Sequence, residues 1–211
     1  MFNYGERTAV DVSFKLKELL QTLKANKQIK DDAKVIEEVK LSHTLSEETT
    51  GLVPSLNVQE IYIIDLVLNS KNVPNQVISA FNGYIEFQTL FRVHFKDEVN
   101  YLVSLKEFNE EKMKIVASYE SGWKAPTKFE LPITTKLNKI FNAIVAQVVG
   151  VEFRDNETFL AYSERQIKIA KQYREIEKLT KTMNNEKQPN IRMAMNDKVK
   201  SMKKELLKLE F

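Results

Sequence analysis

Two stretches near the end of the chain decide its architecture: residues 169–183 read IAKQYREIEKLTKTM, and residues 191–209 read IRMAMNDKVKSMKKELLKL. Apolar residues recur in both at steps of three and four, a spacing typical of the seam of a coiled coil. The apolar positions are Ile169, Tyr173, Ile176, Leu179 and Met183, followed by Ile191, Met195, Val199, Met202, Leu206 and Leu209. Because one polar segment, residues 184–189, interrupts the seam, the pattern predicts an antiparallel helical hairpin over residues 155–211.

Residues 1–154 mix helix-like and strand-like patterns and are predicted to form one α/β (α+β) domain. The run over Gln59–Leu68 is almost continuously apolar and rich in β-branched residues, which indicates a central strand covered on both faces. Further strands are predicted over Thr89–Phe95, Val99–Leu105 and Met113–Tyr119, with a short extra one possible at Phe129–Leu131. We therefore expect a mixed sheet of about four strands, with a three-residue loop, Lys96–Glu98, between the second and third.

Helical spacing in the same region predicts helices that flank this sheet. The expected helices are Val12–Lys24, Asp31–Val39, Pro74–Ile85 and Leu137–Val149. The segment Leu41–Asn57 is polar, contains a glycine and a proline, and is predicted to be a connection.

Composition excludes several classes of function. The chain has no cysteine, which rules out disulfides, thiol catalysis and cysteine-based zinc sites and suits a cytoplasmic protein. The opening residues lack the apolar core of a signal peptide, and the longest apolar runs are too short to span a bilayer, so we expect no membrane partner. With five glycines and neither a phosphate loop nor a dinucleotide fingerprint, no cofactor and no bound metal are expected.

Charge is distributed unevenly along the chain. The net charge is +3, but from Ala161 onward thirteen Lys and Arg face seven Asp and Glu, which leaves about −3 on the rest. A basic hairpin indicates contact with nucleic acid or an acidic protein, although a solvated helix face produces the same pattern. Arg165 is counted with the basic face of the first helix. The candidate binding residues are Lys168, Lys171, Arg174, Lys178, Lys200, Lys203 and Lys204 on the helices, with Glu186, Gln188, Asn190, Arg192 and Asn196 near the tip.

Four acidic or basic residues on or beside the predicted strands raise the possibility of a degenerate metal-dependent nuclease. They are Glu60, Asp65, Lys106 and Glu107. Such enzymes need two acidic oxygens to hold Mg²⁺ and often a lysine near the attacking water. Here the lysine precedes the glutamate, and Ser104 stands where the first Glu of a Glu-x-Lys motif is expected. Solvated charges at strand ends explain the same residues, and His94 is expected to be a surface or packing residue.

Several stretches resemble a family of bacterial domains of unknown function that is encoded beside helicase and DNA-methyltransferase genes. The resemblance is carried by Met1–Asn3 with the first predicted helix, by residues 58–68, by Tyr101–Glu107, and by the pattern Glu186-Lys187-Gln188 with Asn190, Arg192 and Asn196. Family members carry an aromatic residue after that Gln, whereas this chain has Pro189. The resemblance implies a role in restriction–modification or phage defence, and it implies no reaction.

Three hypotheses therefore stand on the sequence. The first is a non-enzymatic accessory subunit that docks on a helicase or methyltransferase, and on DNA, through the basic hairpin. The second is the metal-dependent nuclease. The third is a self-associating coiled-coil protein, in which two hairpins form a homodimeric four-helix bundle.

Overall fold

The computed structural model describes residues 5–108 and 112–211. The chain divides into two compact units, residues 1–150 and 151–211. The first unit holds a six-stranded sheet, and the second holds a pair of long helices. No helix within the described residues is both long enough and apolar enough to cross a membrane.

The strands lie side by side in the sheet in the same order as in the chain, and only one neighbouring pair is parallel. The strands are β1 Ala9–Phe14, β2 Ile36–Leu45, β3 Ile61–Leu68, β4 Gln88–Phe95, β5 Glu98–Phe108 and β6 Met113–Glu120. All neighbours are antiparallel except β3 and β4, which a crossover helix connects. The predicted mixed sheet of an α+β fold is confirmed, but the expected number of about four strands is wrong.

Seven α-helices accompany the strands within the described residues. They are α1 Leu16–Thr22, α2 Lys27–Asp32, α3 Glu47–Thr50, α4 Asn75–Tyr84, α5 Leu137–Val149, α6 Phe159–Asn185 and α7 Pro189–Glu210. The crossover helix α4 buries Val77, Ile78 and Phe81 against the sheet residues Ile64, Leu66 and Phe91. Helix α5 packs against β5 and β6. The sheet thus has helices on its faces, as its apolar central strand β3 requires.

The two strands missed by the sequence patterns lie at the N-terminal edge of the sheet. The expected helix Val12–Lys24 is split, because β1 ends at Phe14 and α1 begins only at Leu16. The expected helix Asp31–Val39 ends early, because the ten-residue strand β2 begins at Ile36, within that predicted helix, and continues to Leu45, within the predicted connection. β2 pairs with β1 on one side and β3 on the other, so distant hydrogen-bond partners override its local helical spacing.

Two smaller expectations are also corrected. No strand forms at Phe129–Leu131, where Phe129 packs its ring 4.8 Å from that of Tyr101 instead. The loop between β4 and β5 has two residues rather than three, because Glu98 already pairs with Phe95. Lys96 supplies the positive φ, 51°, that such a tight hairpin turn needs in place of glycine.

Helices α6 and α7 form the predicted hairpin, but two residues of the expected seam, Tyr173 and Ile191, are exposed, Ile191 to 38%. Ile169, Ile176, Val199 and Leu206 are buried together in the seam. Tyr173 is 52% exposed and lies outside the seam. In a repeat of seven residues, the seam position that precedes Leu179 is Gln172, not Tyr173. Gln172 donates from Nε2 to the Met202 carbonyl at 2.8 Å.

Candidate functional site

A polar cluster around Asp65 lies where β2, β3 and β4 run side by side. Asp65 pairs in register with Arg92 of the parallel strand β4. The guanidinium donates from Nε to Oδ1 at 2.6 Å and from Nη2 to Oδ2 at 2.5 Å. His94 Nε2 lies 2.9 Å from the same Oδ1, and the Ser42 hydroxyl donates to Oδ2. Three side chains, from β2 and β4, therefore meet at the carboxylate of Asp65 on β3.

The cluster keeps Asp65 ionised. Burial raises the pKa of Asp65, but hydrogen bonds from His94 and Arg92, together with the charge of Arg92, outweigh burial and hold that pKa well below its ordinary value. Nearby, burial and the positive charge of Arg92 lower the pKa of His43, whose Nδ1 lies 3.0 Å from the Thr8 hydroxyl. Because both oxygens of Asp65 already have partners, the cluster joins three strands and leaves no open ligand position on that carboxylate.

His94 therefore has a specific partner, contrary to the expectation that it would be a surface or packing residue. Sequence patterns missed Arg92 and His94 as partners of Asp65. The only available signal was alternation in β4, which puts Arg92 and His94 on one face of that strand.

The four residues of the nuclease hypothesis lie in separate environments. Glu60 is hydrogen-bonded to Tyr62, whose pKa is raised to about 12, first by burial and then by the Glu60 charge. Asp65 pairs with Arg92 of β4, which in turn pairs with Tyr101 of β5. Lys106 lies five residues beyond Tyr101, roughly 17 Å further along β5. Glu107 is half-buried opposite Lys114 of β6. In the described part of the chain, no group of three or more His, Asp or Glu residues is arranged to hold a metal ion.

Lys106 has a structural environment of its own. Its side chain is fully buried, and Nζ donates to the Ile85 and Phe87 carbonyls at 2.7 Å each. Burial lowers the pKa of Lys106 to about 7. The buried Gln88 donates to the Lys106 carbonyl at 2.7 Å and to the Asn57 carbonyl at 2.6 Å. Lys106 thus helps to join the C-terminal end of α4 to β4 and β5.

The base of the hairpin is closed by Arg165, which the sequence assigned to a basic surface. Its guanidinium is buried and makes two hydrogen bonds to the Glu157 carboxylate, at 2.7 and 2.6 Å. It also donates to the Glu152 carbonyl at 2.7 Å and the Leu209 carbonyl at 2.9 Å. Arg165 therefore ties the segment before α6 to the C-terminal end of α7, and it is not available to a partner.

Four of the five remaining basic residues of α6 concentrate on the side away from the seam. At 3.6 residues per turn, these four fall within an arc of about 80° opposite Ile169 and Ile176. These residues, all exposed, are Lys171, Arg174, Lys178 and Lys181, which we call the α6 basic face. Two members are paired within the helix, since Lys171 lies 3.9 Å from Glu175 and Lys181 lies 2.8 Å from Glu177. Lys168 is exposed but lies to one side of this arc.

Helix α7 carries a second series of exposed basic residues. Lys200 and Lys204 fall on the side away from the buried Val199 and Leu206, Lys203 lies closer to that seam, and all three are exposed. Lys200 is 3.8 Å from Asp197, one turn earlier. Both helices of the hairpin therefore present cations to solvent.

At the tip of the hairpin, two of the polar residues predicted there are in contact. Glu186 follows the last residue of α6, and its Oε1 accepts from the Gln188 backbone N–H at 2.9 Å. Pro189 then occupies the first turn of α7, where its missing N–H costs nothing. Gln188, Asn190 and Arg192 are exposed, while Glu186 and Asn196 are half-buried. The tip is a polar surface held in a defined turn.

These features define the class of protein: an α+β domain with a six-stranded mixed sheet, followed by a helical hairpin with exposed basic faces. The chain belongs to the family described as Domain of unknown function (DUF4391), whose model matches residues 2–206. No curated protein and no solved structure was found to match it.

Proposed function

We propose that this chain is a non-enzymatic, cytoplasmic accessory subunit of a bacterial anti-phage defence or restriction–modification complex. Its hairpin docks on a helicase or methyltransferase partner and contacts DNA through the basic faces. The defence setting comes from the family resemblance. The observation that supports docking by the hairpin is that residues 151–211 form their own compact unit, closed at its base by Arg165 and exposing cations on both helices.

The internal seam explains why the outer faces are available for binding. Ile169, Ile176, Val199 and Leu206 bury one another within the hairpin, so its apolar stripe does not need a second protein. Docking then uses the polar tip and the cations. Charged surfaces of this kind steer association and favour acidic partners, with a strength that falls as salt rises.

Contact with DNA is supported by the arrangement of the α6 basic face. Four cations over three helical turns span about 15 Å, a length comparable with several phosphates along one strand. The glutamates that pair with Lys171 and Lys181 reduce the net charge of this face. We therefore expect weak, sequence-independent binding with a marked salt dependence.

The test is co-expression of the full chain with a helicase and with a DNA methyltransferase of the kind that the family resemblance implies, followed by size-exclusion chromatography. One variant reverses the α6 basic face (Lys171→Glu, Arg174→Glu, Lys178→Glu) and another alters the tip (Gln188→Ala, Asn190→Ala, Arg192→Ala). A matched control makes the same change of charge on the first unit (Lys15→Glu, Lys27→Glu, Lys30→Glu).

Co-elution that the hairpin variants lose and the control keeps is the expected result. Failure of the wild type to co-elute with either the helicase or the methyltransferase would overturn the proposal that the chain docks on them. A second measurement, binding of labelled duplex DNA at two salt concentrations, examines the DNA contact separately. Mg²⁺-dependent cleavage of DNA that Asp65→Ala abolishes would replace the proposal with the nuclease. Elution of the chain alone at twice its mass would indicate self-association instead.

A further inference from the structure

A pocket of about 390 Å³ lies between α4 and the strands β5 and β6, well apart in sequence from the hairpin. Its walls combine apolar side chains with hydroxyl groups and a carboxylate. The residues used below are Ile78, Leu102 and Ile115 on the apolar side, and Ser104, Ser118 and Glu120 on the polar side. Of the described residues that line it, Glu120 is the only charged one.

A chain of hydrogen bonds runs from the buried interior to this pocket. Asn82 of α4 is only 5% exposed and donates from Nδ2 to the Ser104 hydroxyl at 2.9 Å. Ser104, 2% exposed, lies 2.8 Å from the hydroxyl of Ser118, which is exposed on β6. Two buried residues therefore fix the position of a hydroxyl at the pocket surface.

The carboxylate of Glu120 is supported in the same way. Asn100 on β5 is 2% exposed and donates from Nδ2 to Glu120 Oε2 at 3.2 Å. Its own Oδ1 lies 3.5 Å from the Ser121 hydroxyl, near the limit of a hydrogen bond. Glu120 is exposed, yet a buried amide sets its orientation.

Buried polar side chains in this part of the core lower the stability of the fold, and packing alone does not explain why they are present. Ser104 and Asn100 sit on the sheet face that α4 covers with Ile78 and Phe81, and Asn82 belongs to α4 itself. Asn82 Oδ1 is buried and has no hydrogen-bond partner among the described residues. An apolar residue would cost less at each position, because each buried polar group loses its hydration. Groups of this kind are retained where they orient residues of a binding site.

We propose that this pocket binds a small organic cation, an ammonium or guanidinium group on a short aliphatic stem. The carboxylate of Glu120 and the hydroxyl of Ser118 accept hydrogen bonds from the cation. The stem packs against Ile78, Leu102 and Ile115. A carboxylate with neighbouring hydroxyls favours a donor-rich cation over an anion or an apolar ligand, because no described cation lines the pocket.

The test uses butylguanidine as the probe and butylurea as its neutral counterpart of nearly the same shape. Binding to the full chain is followed by NMR chemical-shift changes and by titration calorimetry. We expect saturable binding of butylguanidine with shifts centred on β5, β6 and α4, and at least ten-fold weaker binding of butylurea. Glu120→Gln should weaken binding of butylguanidine at least ten-fold and leave the weak binding of butylurea unchanged.

The matched control is Glu98→Gln, which removes a carboxylate from the first residue of β5, where it pairs with Lys71 at 2.5 Å. Binding that both variants reduce equally would reveal unspecific attraction to negative charge and overturn the site. Absence of saturable binding to the wild type, or equal binding of the urea, would also overturn it. A further variant, Ser118→Ala, keeps the buried asparagines in place and should weaken binding without unfolding the domain.

Discussion

Arg92 and Asp65 face each other across the parallel strands β3 and β4, joined by two hydrogen bonds of 2.6 and 2.5 Å. Their side chains are only 15% and 16% exposed. The pair therefore resembles a buried ion pair, in which the loss of one partner leaves the other charged and desolvated.

Removing one member of this pair should destabilise the first unit strongly. We expect Arg92→Met to lower the free energy of unfolding by about 2–4 kcal/mol, since partial exposure softens the cost of an unpaired buried charge. Urea denaturation measures the change. The double variant Arg92→Met, Asp65→Asn should recover part of the loss, and an additive loss would show that the two side chains do not interact.

The depressed pKa of Asp65 predicts a loss of stability in acid. Its folded pKa lies below that of the unfolded chain, so its contribution is complete above the unfolded pKa, about 4, and is lost as pH falls below that value. The difference in stability between wild type and Asp65→Asn should therefore shrink as pH falls from about 5 to 2. A difference that is constant over this range would contradict the assignment.

Lys106 predicts a dependence of the same sign, a rise of stability with pH, at alkaline pH. Its pKa is about 7 in the folded protein against 10.5 as the ordinary value, so the unfolded chain binds more protons between these limits. Lys106 should therefore make stability rise with pH from about 7 to 10.5, by at most about 1.4 kcal/mol per pH unit.

Comparison of Lys106→Met with the exposed control Lys27→Met checks this dependence. Urea denaturation at several pH values should show that Lys106→Met loses the rise, while Lys27→Met keeps it. Met also leaves the Ile85 and Phe87 carbonyls without their donor, so the slope, and not the absolute stability, is the diagnostic quantity. Identical slopes in the two variants would refute the prediction.

Arg165 should control the stability of the hairpin. In Arg165→Met, the Glu157 carboxylate, only 8% exposed, loses its cation, and the expected loss is about 3–5 kcal/mol. Hydrogen exchange of α6 and α7 amides measures this local opening. Arg174→Met on the exposed face is the matched control and should leave exchange unchanged.

We expect Gln172 to lower the stability of the hairpin while it fixes the register in which α6 and α7 pair. As a polar residue in an apolar seam, it favours the pairing in which it reaches the Met202 carbonyl. Gln172→Leu should raise the melting temperature and increase self-association, which light scattering after size-exclusion chromatography detects. A monomer with unchanged stability would mean that the glutamine contributes neither effect.

Local patterns were sufficient for the elements whose partners lie close in sequence or whose burial is complete. The apolar steps in residues 169–183 and 191–209 determined the helical hairpin, because its two helices are adjacent in the chain and bury one stripe against each other. The continuous apolar run of β3 determined a buried central strand, because apolar residues on both faces of a strand must both be shielded from water.

Tertiary structure alone decided the first two strands and the polar sites. The second half of β1 and the first residues of β2 fall within helices predicted from local spacing, and hydrogen bonds to residues more than twenty positions away make them strands. Likewise, nothing local joins Asp65 to Arg92, or Asn82 to Ser104. Local spacing records which residues avoid water, whereas the partner of a buried polar group depends on which strands and helices the fold brings beside it.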